Sequence, residues 1–307
     1  MTAYIIRRLI QVIPITFGIL TLIFLLIHMI PGDPALQIAG ENARAEDVER
    51  VRIQLGLDKP LWEQYLSYLG GIFRGDLGRS FRTQQPVMET VMERYPATLQ
   101  LAFGGMLVAI LIAFPLGIIS AIYRSTWIDH FARFFALIGV SMPNFWLGPL
   151  LIIAFSIHFQ WFPVSGRGEG LRSLILPSIT LGTALAAILT RMIRVSLADE
   201  LGQLYVTTAR AKGVGRSKAI FVHGLRNALI PVVTILGLQF GSLLPGAIIT
   251  EQIFSWPGLG RLLIQSINAR DYPQVQASIL VIALTYILIN LITDLLYAYI
   301  DPRISYD

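Results

Sequence analysis

Residues 98–123 read TLQLAFGGMLVAILIAFPLGIISAIY, and this stretch decides the fold class because it contains no charged side chain. An α-helix rises about 1.5 Å per residue and the hydrocarbon core of a bilayer is about 30 Å thick, so about 20 apolar residues are enough to cross it. Residues 98–123 are therefore predicted to form a transmembrane helix.

Five further stretches have the same apolar character: residues 9–30, 134–158, 174–189, 229–249 and 277–299. They predict an all-α, polytopic membrane protein with six transmembrane helices. The fourth stretch is short and rich in small residues, and it can extend into the polar turn around Arg191 and Arg194. Composition agrees with a lipid-facing surface, because charged residues make up 14% of the chain, whereas soluble domains have about 25%.

The spans divide the chain into three parts. Residues 1–30 form an N-terminal transmembrane helix, residues 31–97 an external helical subdomain, and residues 98–307 a five-helix core that includes a polar segment at 195–227. Helical apolar spacing at residues 46–57 and 61–73 predicts two helices in the external subdomain.

The basic residues predict the orientation. With both termini in the cytoplasm, the short loops and ends place twelve Lys and Arg residues inside and four outside (Arg167, Arg172, Arg261 and Arg270). The other eight lie in the long segment 31–97, and long loops cross the membrane largely regardless of charge. The net charge of +5 is thus explained by anchoring at the membrane, and no nucleic-acid partner is expected.

Residues 205–213, YVTTARAKG, are the most informative part of the cytoplasmic segment. Small side chains at Thr208 and Ala209 permit close approach of another surface, Arg210 and Lys212 flank them, and Gly213 is placed to end a short helix. Two interpretations remain open on these residues alone. One is a helix that transmits motion from a cytoplasmic partner, and the other is a basic membrane anchor with an incidental glycine.

The segment resembles the coupling loop of ABC importer permeases. That loop has Glu-Ala-Ala, three residues, Gly, nine residues and then Ile-x-Leu-Pro. Gly213 and the nine residues before His223 fit, whereas Thr207-Thr208-Ala209 replaces Glu-Ala-Ala and Arg226 stands where proline is usual. In these departures the segment resembles the first permease subunit of dipeptide, oligopeptide, glutathione and nickel importers. Further segments agree with that branch: HMIPGDP (28–34), LGLDKP (55–60), GDLG (75–78), FSWPGLG (254–260) and RDYP (270–273).

The resemblance implies a location in the cytoplasmic membrane of a bacterium or archaeon and a set of partners. These are a second homologous permease subunit, two ATPase subunits that hold the ATP and Mg, an extracytoplasmic substrate-binding protein, and membrane lipid. No cofactor is expected on this chain. The coupling helix would span about residues 202–213, with candidate contacts at Tyr205, Thr208, Ala209, Arg210, Lys212, Gly213, His223, Arg226 and Asn227. Di- and oligopeptides are the favoured substrates, with nickel chelates and glutathione as alternatives.

Polar groups inside spans are costly and often functional. The candidates to line a pathway are Gln239, Ser242, Glu251, Asn290 and Asp294. Structural alternatives exist for several of them: Gly237 and Gly241 form a close-packing motif beside Gln239 and Ser242, and Asp294 is expected to pair with Arg191 or Arg194.

Phe254, Trp256 and Pro257 lie outside the membrane in this topology and are expected to be exposed at the external mouth of the pathway. Tryptophan at such a depth is more often an interfacial anchor, which is the structural alternative.

Other classes of protein are less well supported. A self-contained channel or secondary transporter would have ionisable residues in several spans and an internal repeat, whereas the main such residue is Asp294 and no repeat is evident. An enzyme has no support, because there is no nucleotide-binding or hydrolase motif, so no catalytic residue is predicted. The four histidines fall in unrelated segments and no cysteine occurs, so no metal site is predicted.

Overall fold

A computed structural model describes residues 2–29, 34–39, 43–54 and 56–300. Helices make up nearly all of these residues, and the only β-type pairing among them is an isolated bridge between Arg79 and Pro86. The predicted all-α class is confirmed. In chain order the α-helices are α1 (Thr2–His28), α2 (Pro34–Ala39), α3 (Ala45–Gln54), α4 (Leu61–Phe73), α5 (Val87–Ile122), α6 (Trp127–Ser141), α7 (Asn144–Leu151), α8 (Leu171–Leu201), α9 (Leu204–Ala211), α10 (Arg216–Lys218), α11 (Leu225–Ile253), α12 (Leu259–Asn268) and α13 (Tyr272–Ile300). Two π-helical segments, Ile152–His158 and Ala219–Gly224, continue α7 and lead into α11.

Five helical stretches of the described chain are long and apolar enough to cross a membrane: Ile6–Leu25, Val87–Ile122, Leu171–Leu201, Arg216–Ile253 and Tyr272–Leu295. A sixth span is present if Trp127–Ser141 and Asn144–His158 are counted together, although they are bent by 104° at the break between them. The six predicted spans are therefore accounted for, but the third is not one continuous helix.

The break in the third span has a local cause. Met142 has an extended backbone (φ −87°, ψ 112°), and Pro143 follows it immediately. A residue before proline avoids the helical region, and proline itself has no N–H to donate, so the helix ends here.

The fourth predicted span is real and longer than its apolar core suggested. Helix α8 has 31 residues and continues through Arg191 and Arg194 to Leu201. In its most apolar 18-residue window, 67% of the residues are buried inside the protein, against 17–33% in the other four spans. Its hydropathy is weak because α8 packs mainly against other helices, so small and polar side chains replace the large apolar ones that face lipid.

Backbone-close packing joins α5 to α8. A Cβ atom placed on Gly182 of α8 would overlap the carbonyl oxygen of Gly105 on α5, and one on Gly117 would lie 2.8 Å from the Cβ of Ile193. Small residues at such crossings let two membrane helices approach closely. Buried side chains from both helices and from α11, among them Leu185, complete the core.

The segment predicted to form an external subdomain is helical over most of its described residues. Helices α3 and α4 occupy the two stretches that the apolar spacing indicated. The boundary expected between residues 97 and 98 falls inside α5, which begins at Val87 and carries Pro96 in its interior. The subdomain and the core therefore share one helix. Asp271 ties them together further, because its buried carboxylate accepts hydrogen bonds from the Ser80 hydroxyl and, at 3.1 Å, from the Phe81 N–H.

The crossing of α5 and α8 gives a stability prediction. Gly182→Ala should lower the thermal unfolding midpoint of the detergent-purified protein, because forcing a methyl group into this contact costs about 1–3 kcal/mol. Gly18→Ala is the matched control, since Gly18 also lies in a spanning helix but no other atom lies within 4 Å of its added Cβ. Equal melting temperatures for the two variants would contradict the assignment of this crossing as a tight contact.

Candidate coupling helix, pathway residues and outer turn

The predicted coupling helix is α9, which begins at Leu204 and ends at Ala211, within the expected range of residues 202–213. Val206 anchors it, being 2% exposed, whereas Leu204 on the other side is 83% exposed. The predicted contact residues Thr208, Arg210 and Lys212 are also exposed, and Ala209 is half-buried. Helix α9 therefore presents an open face with two cationic side chains.

Gly213 ends this helix as predicted. Its φ is +89°, in the left-handed region that glycine adopts without steric cost. The Gly213 N–H donates to the Arg210 carbonyl at 3.0 Å, and the Val214 N–H donates to the Ala209 carbonyl at 3.1 Å. These bonds satisfy carbonyl groups that the end of a helix would otherwise leave without partners.

Tyr205 joins α9 to the helices on both sides of it. Its hydroxyl donates to the Glu200 carboxylate at 2.5 Å and lies 3.1 Å from the His223 carbonyl oxygen, and the Asn227 side-chain amide donates to it at 3.0 Å. Three of the predicted coupling residues, Tyr205, His223 and Asn227, are thus brought together. Glu200 was missed, although an acid on the turn before a short helix is the kind of residue that a tyrosine hydroxyl can reach.

The surroundings of Tyr205 keep it a hydrogen-bond donor. Burial raises the pKa of Tyr205 above the ordinary value of 10.0, and the hydrogen bond to the Glu200 carboxylate raises it further. A raised pKa in the folded state means that the stabilising contribution is present below pH 10 and is lost as the pH rises through the raised value. The hydrogen bond that Tyr205 donates to Glu200 at the end of α8 is therefore intact at neutral pH.

The remaining coupling candidate, Arg226, is exposed at the start of α11, next to Asn227. Arg216 and Lys218 of α10 are also exposed. The basic side chains of the 195–227 segment thus point away from the core, where a partner can reach them.

On α11, Gly237 and Gly241 pack closely against α13, as their spacing predicted. A Cβ at Gly241 would meet Tyr286 at 3.0 Å and Asn290 at 3.3 Å, so Asn290 lies over the glycine face. Ser242 is exposed and donates to the Gln239 carbonyl at 2.7 Å, and the Gln239 side chain is half-buried. The candidates Gln239 and Ser242 therefore lie beside the α13 contact, and Ser242 faces outward.

Asp294 forms an ion pair, but the predicted partners are wrong. Its carboxylate lies 3.2 Å from the Arg8 guanidinium, which joins α13 to α1. Arg194 instead binds Asp129, and Arg191 is exposed. The partner was missed because Arg8 is 286 positions away in the sequence and lies on the first span, whose packing position no local pattern reveals.

Glu251 is a capping residue in this structure and does not line an open surface. It is 0% exposed, and its carboxylate accepts hydrogen bonds from the Thr98 hydroxyl at 2.6 Å and the Arg261 N–H at 2.9 Å. The same Thr98 oxygen accepts the Leu259 N–H at 2.8 Å, so the two side chains satisfy the first turn of α12. A Cβ on Gly258 would overlap the Glu251 carboxylate, which is why glycine stands there.

The outer turn after α11 is buried, contrary to the expectation of an exposed mouth. Phe254 is 2% and Trp256 1% exposed, and the Trp256 indole N–H donates to the Ala97 carbonyl at 2.8 Å. The alternative of an interfacial tryptophan anchor is wrong for the same reason. Pro257 is half-buried. The turn folds inward because Glu251 and Thr98 hold the start of α12 against α5.

The loop before α8 covers this turn from outside the core. The Gly166 N–H donates to the Phe254 carbonyl at 2.8 Å, and the Arg167 guanidinium lies 5.9 Å from the centre of the Trp256 ring. The Arg261 guanidinium donates to the Ser255 carbonyl at 2.7 Å. Two cationic groups therefore flank the turn.

The Tyr205 contacts give a prediction for local stability. Tyr205→Phe removes hydrogen bonds worth about 1 kcal/mol each, so amide hydrogen exchange in α9 should become about fivefold faster or more. Mass spectrometry of the exchanged protein measures this directly. Thr208→Ala, at an exposed position of the same helix, should leave the exchange rate unchanged. An equal effect of both substitutions would show that the Tyr205 hydroxyl does not hold α9.

Two family models together match nearly the whole chain. Residues 113–306 match the binding-protein-dependent transport system inner membrane component, and residues 1–102 match the N-terminal domain of the same membrane components. Curated relatives include the glutathione transport system permease protein GsiC from Escherichia coli O6:H1 strain CFT073, which is 48% identical over 306 residues and all of both chains. The proteins of the same name from Escherichia coli strain K12 and Shigella flexneri serotype 5b are 47% identical over the same span.

Solved structures share the fold. An inward-facing form of the MetNI methionine ABC transporter superposes with a TM-score of 0.60, at 18% identity, over 71% of this chain and 99% of that one. An amino acid ABC transporter gives a TM-score of 0.53 at 18% identity, over 70% and 94% of the two chains. With the spans and these matches, the chain belongs to the binding-protein-dependent transport system inner membrane component family and is a permease subunit of an ABC importer.

Proposed function

We propose that this chain forms one half of the translocation pathway of an ATP-driven importer and receives the force of ATP hydrolysis through α9. The observation that carries the proposal is the construction of α9: an exposed short helix, ended by a left-handed glycine and bonded through Tyr205 to the ends of two spans. A force that a partner applies to the exposed face of α9 is therefore transmitted to α8 and α11.

The connections of α9 support this role. Only Gly202 and Gln203 separate it from α8, and the Gly202 N–H still donates to the Asp199 carbonyl at 3.2 Å. On the other side, Asn227 of α11 holds the Tyr205 hydroxyl. Because α9 is hydrogen-bonded at its connections to α8 and to α11, a displacement of α9 is transmitted to both helices.

The proposed assembly contains a second homologous permease, two ATPase subunits that bind ATP and Mg, and an extracytoplasmic substrate-binding protein. Arg210, Lys212 and Arg226 offer exposed positive charge to the ATPase, which replaces the polar contact of the missing glutamate. Six spans place both termini on one side of the membrane, and the twelve basic residues of the short segments favour the cytoplasm for that side.

Short peptides are the proposed substrates, with glutathione the first candidate because the relatives of 47–48% identity are named for its transport. Ser242 and Gln239 on α11 are the proposed polar contacts in the pathway, and Asn290 is a further candidate. Asp294 and Glu251 are left out of this set because Arg8 and the first turn of α12 bind their carboxylates.

Gly213→Val should abolish ATP-dependent substrate uptake by proteoliposomes that contain the assembled transporter. A β-branched residue is a genuine outlier at positive φ, so the helix end and the adjoining ATPase contact are displaced. Gly215→Val is the matched control: Gly215 lies two residues away, is likewise exposed with open space around it, and has φ −61°, which valine accepts. Unchanged uptake by the Gly213 variant would rule out α9 as the coupling helix.

Purification of the tagged chain from its native membrane tests the proposed partners. A second permease of similar length and two ATPase subunits should be recovered with the wild type and with the Gly215 variant. The Gly213 variant should retain the second permease and lose the ATPases. Recovery of the chain alone from the wild type would favour a self-contained transporter.

Competition identifies the substrate class. Uptake of labelled glutathione should be inhibited by unlabelled glutathione and by other tripeptides, and a nickel chelate should have no effect. The reverse pattern would overturn the peptide assignment and leave the importer assignment in place.

A further inference from the structure

A fully buried carboxylate, Asp129, lies at the start of α6 and is not among the groups assigned to coupling or to the pathway. Asp129 is 0% exposed. Its oxygens accept hydrogen bonds from the Ser120 hydroxyl at 2.6 Å and the Ser125 N–H at 2.9 Å. A buried charge has to be paired and hydrogen-bonded to be tolerated, and this one has partners on both oxygens.

The charge partner of Asp129 comes from α8. The Arg194 Nε donates to Oδ1 at 2.6 Å and Nη2 donates to Oδ2 at 2.7 Å. This two-point geometry fixes the direction of the guanidinium as well as its distance, which a lysine ammonium cannot do. The pair therefore fixes α6 and α8 relative to each other both in position and in angle.

A second cation contacts Asp129 from within its own helix. The Arg133 Nε lies 3.4 Å from Oδ1, one turn along α6, and this side chain is 48% exposed. An intrahelical contact cannot join two helices. A substitution of Arg133 therefore removes a charge near Asp129 without breaking the contact between α6 and α8, so it serves as a control.

The location of the pair relates it to coupling. Arg194 lies two turns before the end of α8 at Leu201, after which α9 begins at Leu204. Helix α6 is short, and its far end is the break at Pro143, where the chain bends by 104°. Near that end Gly139 also packs against Thr183 and Ala187 of α8, so α6 lies along α8, and the Asp129–Arg194 pair fixes the two helices at the end nearer α9.

We propose that Asp129 and Arg194 are positioning residues for transport, forming the joint through which movement of α9 and α8 reaches α6. The proposal rests on the proposed function of α9. It assigns the Asp129–Arg194 pair to the conversion of ATP hydrolysis into opening of the pathway, whereas a structural pair would only hold the fold together.

The test measures uptake and ATP hydrolysis in the same proteoliposomes of the assembled transporter. Asp129→Asn and Arg194→Lys should each lower the substrate transported per ATP hydrolysed about tenfold, which is within the range of ordinary coupling between sites. Arg133→Gln should leave the ratio unchanged.

Two outcomes would overturn the proposal. One is a parallel loss of uptake and hydrolysis in both single variants, since a purely structural pair lowers the amount of active transporter and not the ratio. The other is a normal ratio in both variants. If the wild type itself shows no ATP-dependent uptake, the proposed importer function fails, and this result is distinct from either outcome.

Distance measurements supply a readout that does not depend on uptake. The chain contains no cysteine, so spin labels can be placed at Leu137→Cys on α6 and Val195→Cys on α8, both exposed positions. With cysteine-free partner subunits, the wild-type pair should give one narrow distance that is the same with and without ATP. In Asp129→Asn the distribution should broaden or shift with ATP. Identical distributions in both proteins would show that the pair is not the joint.

Discussion

The close approach of α5 and α8 is the contact on which the arrangement of the core depends. Gly105 and Gly182 bring the two backbones together, so α8 lies among α5, α6 and α11 and has little lipid-facing surface. In a membrane the hydrophobic effect gives little drive for helices to associate, and close packing takes its place. Among the described spans, the helix that leads directly into α9 is therefore also the most buried, and this burial gives α9 a fixed support.

The sequence predicted the parts of this molecule that local chemistry determines. Spans follow from apolar length, the end of α9 from Gly213, and a close helix contact on α11 from the spacing of Gly237 and Gly241, although the spacing did not identify α13 as the partner. Pairings between distant elements were not predictable in this way. Asp294 binds Arg8, and Glu251 binds Thr98, because packing brings together residues that no periodicity connects. Trp256 was expected at a surface because the predicted topology places it outside the membrane, yet it is buried, and its indole N–H donates to the Ala97 carbonyl.

Three buried carboxylates of this chain share a common use. Glu251 with Thr98 fixes the start of α12, Asp271 fixes the loop that carries Ser80, and Asp129 fixes the start of α6. In each case a carboxylate accepts hydrogen bonds from N–H or hydroxyl groups at the start of a helix or in a loop. Backbone N–H groups at these positions have no partner within the helix. Apolar packing brings the spans together, and these carboxylates determine where the connecting elements dock.

The bend between α6 and α7 has a consequence for the surrounding lipid. Helix α6 has 15 residues, so it is about 22 Å long and falls about 8 Å short of a hydrocarbon core about 30 Å thick. The crossing therefore also needs the bent segment Asn144–His158, and a span built in this way adjusts to a thicker or thinner bilayer at a cost of a fraction of a kcal/mol for each ångström of mismatch. Acyl chain length thus acts on the same helix that Asp129 holds, and membrane thickness becomes a physical variable in the conformational equilibrium of this subunit.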